Sequence, residues 1–142
     1  MISVKINWSV NVQVADGPTI AASDSYDAQA FDKIEANVPG QTGSGSSATA
    51  GTATVDLQPG GDGKVKLLLI KSDFYDAKLS YKCKTTDAGK PDGPVIALDS
   101  LQLLMGSGAL GLLNPAPNRL QFTNGTAIPA NIQVLVGREA VV

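Results

Sequence analysis

Ile2-Ser3-Val4-Lys5-Ile6-Asn7-Trp8-Ser9-Val10-Asn11-Val12-Gln13-Val14 alternates without a break. Every even position is apolar, and all of them except Trp8 are β-branched. Every odd position is polar. Side chains on a strand point to opposite faces in turn, so this stretch reads as one long strand with a buried face and a wet face. A helix would spread the same apolar residues around its circumference, whereas β-branched side chains suit a pleated, half-buried surface. A strand of this kind needs a sheet, and the sheet needs a second layer. Trp8, on the apolar face, is expected in the core.

The rest of the chain repeats the theme in shorter pieces. Asp16-Gly17-Pro18 signals a turn, and Ile20–Ser25 reads as a short strand. In Tyr26–Val38, Ala30, Asp32, Ile34, Ala36 and Val38 alternate, and Pro39-Gly40 ends the run, which favours a strand over a helix. Residues 39–53 are mostly Gly, Ser, Thr and Ala and are expected to form a flexible loop. Thr54–Leu57 resumes the alternation. Val65, Leu67, Leu68, Leu69 and Ile70 form a nearly continuous apolar run, the pattern of a mid-sheet strand covered on both faces. Leu79, Tyr81 and Cys83 share one face of the next strand, and Ser80, Lys82 and Lys84 the other. Val95–Met105 reads as one or two strands with a break near Asp99-Ser100. Two strands close the chain, with Leu120 and Phe122 inward on the first and Ile132, Val134 and Val136 inward on the second. The turn dipeptide Asn124-Gly125 lies between them.

Seven to nine short strands with regular turn signals define an all-β fold, a single β-sandwich domain over residues 1–142. A jelly-roll-like order is favoured over the immunoglobulin-like alternative. At 142 residues the chain can bury a core without staples.

Composition narrows the function. Eleven basic against 13 acidic residues give a net charge of −2, which speaks against a nucleic-acid grip. No run approaches the ~20 apolar residues of a membrane helix, and the N-terminal residues lack the pattern of a signal peptide, so the chain is expected to be soluble and made in the cytoplasm. The single Cys83 excludes an internal disulfide, and without a histidine nothing of that kind activates its thiol. A Ser-His-Asp triad is impossible, and zinc is nearly so. Asp24, Asp27 and Asp32, then Asp73 and Asp76, are the densest acidic groups; neither matches an EF-hand, and solvated loop carboxylates are the expectation. Gly106-Ser107-Gly108-Ala109-Leu110-Gly111 matches the dinucleotide fingerprint, but Pro115 and Pro117 leave no room for a crossover helix, so a tight apolar loop is expected. Tyr75, beside Phe74, reads as a corner tyrosine or an exposed contact.

Leu67-Leu68-Leu69-Ile70-Lys71-Ser72-Asp73 through Tyr75, Leu101–Ala109, Leu120-Gln121-Phe122-Thr123-Asn124 and Val134-Leu135-Val136-Gly137-Arg138 resemble the small β-sandwich decoration, or cement, proteins of tailed-bacteriophage capsids. The likeness spans roughly the last 80 residues and rests on strand-and-turn patterns. It implies a non-enzymatic virion protein, without cofactor or metal, made in the host cytoplasm and placed on the capsid surface. It would dock on the major capsid protein and on itself as a homo-oligomer such as a trimer. No interface residues come from the resemblance; the apolar loop and tail of this chain make Gly106, Gly108, Leu110, Leu112 and Leu113, with Val141-Val142, the expected interface, beside the 39–53 loop. The other readings are a carbohydrate- or host-surface-binding module and a phage tail or baseplate component.

Overall fold

The computed structural model describes residues 4–57, 65–85, 89–113 and 118–139. Ten strands lie among them: β1 (Val4–Gln13), β2 (Thr19–Ala28), β3 (Ala30–Val38), β4 (Gly51–Asp56), β5 (Val65–Ser72), β6 (Leu79–Lys84), β7 (Ile96–Ala97), β8 (Gln102–Met105), β9 (Arg119–Asn124) and β10 (Ala130–Arg138). β3 to β10 build two four-stranded antiparallel sheets, ordered β3-β10-β5-β8 and β4-β9-β6-β7. The first of these eight strands pairs with the last, the second with the seventh, the third with the sixth and the fourth with the fifth. That is one antiparallel ribbon rolled into two layers, a jelly roll. The immunoglobulin-like order does not occur.

The two layers meet through the alternating inward residues. Leu68, Ile70, Ile132, Val134 and Val136 from the first sheet face Leu79, Tyr81, Cys83, Leu120 and Phe122 from the second. Tyr81 and Phe122 pack with ring centroids 5.9 Å apart, inside the range that favours aromatic pairs. Each such side chain contributes about 1.5–3 kcal/mol by leaving water. β5 is central in its sheet, flanked by β10 and β8, and Leu67, Leu68 and Ile70 are all buried.

Several expectations need correction. The opening strand is not part of the sandwich. β1 and β2 form a separate two-stranded hairpin, Val4↔Ala28 to Gln13↔Thr19, so the short strand expected at Ile20–Ser25 is ten residues long. Alternation specifies that β1 is a strand but not which strand it joins, and the turn at residues 14–18 hands it its chain neighbour. There Asp16 adopts φ 57° and the Val14 N–H donates to the Pro18 carbonyl at 3.1 Å. Likewise β9 and β10 do not pair with each other; the residues after Asn124 carry the chain from one layer to the other.

The segment 39–53, expected as a flexible loop, has a 3-10 turn at Gly45–Ser47, clasped by reciprocal Thr42–Thr49 backbone bonds of 2.9 and 2.8 Å. Its last three residues already belong to β4. A Cβ on Gly51 would stand 1.8 Å from the Pro39 carbonyl oxygen, so only glycine fits where the segment folds back. The stretch after β8, expected as a loop, forms a six-residue helix, α1 (Gly106–Gly111). One and a half turns need no room beyond Gly111, so the later prolines do not prevent it. Leu110 and Leu113, three residues apart, turn inward from it.

Candidate docking surface

The β1–β2 hairpin is an arm. Residues opposite each other in an antiparallel pair share a face. One face of the arm therefore carries Val4, Ile6, Trp8, Val10 and Val12 from β1 with Ala28, Tyr26, Asp24, Ala22 and Ile20 from β2. The arm leaves the body beside β3, where the Gln29 N–H donates to the Arg138 carbonyl at 3.1 Å. It then crosses the outward face of the β3-β10-β5-β8 sheet. Gly137 of β10 lies directly beneath: a Cβ there would stand 3.0 Å from Ile6 Cδ1 and 3.3 Å from Tyr26 Cε1. Farther along, Trp8, Ser25 and Tyr26 border a pocket of about 370 Å³ whose other wall is Lys66, Leu67, Met105, Gly106 and Ser107. The arm thus passes over β10, β5 and β8 in turn.

Beyond Trp8 the apolar face is exposed among the described residues. Ala28 at the root is buried, and Val4, Ile6 and Trp8 are half-buried. Val12 and Val14 are 57% and 54% exposed, and Ile20 is 73% exposed. The expectation that the apolar face of β1, Trp8 included, enters the core is not met: near the root Val4, Ile6 and Trp8 are half-buried against the outside of the sheet, apart from the core between the layers. Strand period decides which face is apolar; how far the body extends decides how much of it is covered.

The sheet under the arm has an unusual outward face. Its row nearest the arm, Phe31–Gly137–Leu67–Met105, is partly covered by the arm root. The next row is Lys33–Leu135–Leu69–Leu103, three leucines side by side, each half-buried. A shallow depression of about 160 Å³ opens here between Lys33, Leu69, Lys71, Gln133 and Leu135. The row beyond is polar, and a groove of about 590 Å³ runs past Glu35, Asn37, Lys71, Asp73, Asn131 and Gln133. Asp73 is committed there, accepting from the Asn131 N–H at 3.0 Å and from Asn131 Nδ2 at 3.3 Å. The outward face of the other sheet reads Thr52–Thr123–Ser80–Ala97, then Thr54–Gln121–Lys82, then Asp56–Arg119–Lys84. Of those ten residues, Ala97 alone is apolar. Of these two sheet faces, only the one under the arm carries rows of large apolar side chains among the described residues.

Several other chemistry-bearing groups are engaged within the fold. Burial pushes the Cys83 thiol up to about 11 and, with the Cys83 charge as a second cause, the Tyr81 hydroxyl up to about 12. Tyr81 donates to Gln102 Oε1 across the layers. Asp92 accepts from Lys84 Nζ at 2.8 Å and from the Thr85 N–H at 3.1 Å, and those bonds hold its carboxyl below the usual range. Arg138 binds Asp32 and reaches the Leu57 carbonyl. Tyr75 packs on the core and its hydroxyl accepts from the Ser72 N–H at 3.3 Å, the corner role. Among the described residues the Tyr26 hydroxyl is buried without a hydrogen-bond partner, and burial raises its pKa. No three potential metal-ligating side chains gather among the described residues.

The expected interface residues divide. Leu110 and Leu113 are 4% and 2% exposed members of the core and cannot meet a partner. The i, i+3 spacing that a loop reading could not use turns them under the helix. Leu112, between them, is 75% exposed, and Gly106 and Gly108 are exposed at the arm pocket and on α1. Val141 and Val142 lie outside the described residues. Sequence reasoning missed the arm's outer half and the leucine row. Val10, Val12 and Val14 belong to the apolar face expected in the core, and Leu69 and Leu135 sit in strands whose inward-facing residues are core. No known family model matches this chain, and no curated protein is detectably similar to it.

Proposed function

We propose that this protein is a non-enzymatic structural component of a bacteriophage virion, which decorates the capsid from outside and stabilises it by docking on the major capsid protein and on further copies of itself. The observation that carries the reading is the one-sided distribution of apolar surface. A rigid jelly roll holds one polar outward face and one face bearing an apolar arm and a leucine row. Contiguous exposed apolar surface on a stable domain marks an interaction site, and the chain's resemblance to capsid decoration proteins supplies the kind of partner. Such a protein, made in the host cytoplasm, binds only the assembled shell and stabilises it by mass action. The test is to add the purified chain to shells that lack it. Co-sedimentation at a fixed ratio, with shells that open at a higher temperature, is expected. Shells that neither bind it nor gain heat resistance would refute the role.

The pocket at the arm root favours a second reading, a carbohydrate- or host-surface-binding module. Trp8 offers a half-exposed indole there and Ser25 and Ser107 offer hydroxyls. A glycan-array screen with a signal that Trp8→Ala removes would favour it over decoration.

A further inference from the structure

We propose that the outer half of the arm docks on a second copy of this chain, lying across the Leu135–Leu69–Leu103 row of its neighbour, so that copies join by reciprocal or cyclic exchange of arms. The inference deepens the assembly reading above and rests on its view of the arm as a docking device.

The first argument is continuity. At its root the arm already makes this kind of contact within its own chain: Ile6 and Tyr26 press on Gly137 in the row that Leu67 and Met105 continue. The leucine row is the next row of the same sheet, two residues farther along each strand, and it runs in the same transverse direction. The overhanging half carries the same face onward as Val10, Val12, Ala22 and Ile20. The second argument is length. Val10 to Val14 extends about 14 Å at ~3.4 Å per residue step, and the row from Lys33 to Leu103 crosses three strand spacings, also about 14 Å. The third is charge. Residues 9–25 carry Asp16 and Asp24 and no basic residue, whereas Lys33 and Lys71 flank the leucines. The fourth is area. A stable contact buries about 800 Å² on each partner. In a reciprocal pair every copy gives one arm and receives one across the same interface, so both patches count toward that sum. The same arm contact repeated head to tail closes into a ring when its rotation allows.

The test begins with the mass of the purified full chain by light scattering and sedimentation over a range of concentrations. A closed oligomer is expected. The double substitution Val12→Asp with Ile20→Asp is expected to leave a monomer whose circular dichroism and unfolding midpoint are unchanged, because both side chains stand outside the core. Contact is then read directly. A Val12→Cys preparation mixed with a Leu135→Cys preparation under mild oxidation is expected to give disulfide-linked pairs across copies. The same partner mixed with Thr54→Cys, on the polar outward face, is expected to give almost none. The buried Cys83 stays out of the reaction. A wild-type chain that is monomeric throughout, an oligomer that survives the double substitution, or equal cross-linking to Thr54→Cys would overturn the proposal. The two readings fail separately. A monomer that still docks on shells removes arm exchange and leaves decoration standing, whereas a closed oligomer that ignores shells does the reverse.

Discussion

Replacing Asn124 by alanine should cost far more than an ordinary surface change, because this one side chain ties the crossing between the layers to the end of β3. Asn124 is fully buried. Its Nδ2 donates to the Ile128 carbonyl at 2.7 Å and to the Val38 carbonyl at 3.4 Å. Its Oδ1 accepts from the Thr126 N–H at 2.9 Å and from Thr126 Oγ1 at 2.6 Å. The three short bonds are partly exposed, so water recovers some of their energy; each contributes about 1 kcal/mol net. The long bond to Val38 is buried, and its carbonyl would be left without that donor. Together these give a loss of about 2–4 kcal/mol for Asn124→Ala. For a domain of this size that is a fall in Tm of roughly 3–5 °C for each kcal/mol. Urea unfolding followed by circular dichroism, with the slope checked against wild type, measures it. A loss under about 1 kcal/mol would refute the claim that this side chain anchors the crossing. Asn124→Asp keeps the acceptor but turns a carboxylate toward two carbonyl oxygens, so its deficit should shrink as the pH falls and the carboxyl gains a proton to donate.

Three further outcomes follow from the geometry. Leu110→Ala should cost about 2–5 kcal/mol because it empties core volume, whereas Leu112→Ala, one turn edge away and exposed, should stay within about 0.5 kcal/mol; equal costs would mean that α1 does not turn Leu110 inward. The Asp92 carboxyl has a depressed pKa in the folded chain, so its stabilising contribution is present above the unfolded carboxylate range and is lost as the pH falls through the folded value. Asp92→Asn should therefore reduce the acid sensitivity of the unfolding midpoint, and an unchanged pH profile would count against the Lys84 and Thr85 bonds. Cys83, buried with its thiol pushed up to about 11, should resist a thiol reagent at pH 8 and react at once in denaturant; fast labelling of the folded chain would contradict the burial.

The arm gives the structure an energetic asymmetry. A two-stranded ribbon with one apolar side is marginal alone in water, and here its root is held by the body while its outer half is not. Burying the exposed portions of Val10, Val12, Val14 and Ile20 against any partner would gain several kcal/mol at about 1.5–3 kcal/mol for each side chain fully covered. The gain is available only through association.

Local pattern determined much of this molecule without any help from the fold. Period-two alternation marks β1, β3, β4, β6 and β10 as strands, because a pleated backbone leaves no other way to collect those side chains on one face. The nearly continuous apolar run at residues 65–70 marks β5 as a mid-sheet strand, which it is, but its outward face is covered only at Leu67, and Leu69 stays half-buried. The inward sets Leu79–Tyr81–Cys83, Leu120–Phe122 and Ile132–Val134–Val136 are all buried. The jelly-roll order was within reach only as a preference, since a strand's own residues do not name its neighbour. Tertiary structure alone decided that the β1–β2 hairpin stands outside the sandwich and that β9 and β10 belong to opposite layers. It also decided that Leu110 and Leu113 are core while Leu112 is surface. The same apolar alternation describes a buried strand and an arm awaiting a partner. What separates them is whether another surface lies opposite, and a strand's pattern carries its own face but not what that face meets.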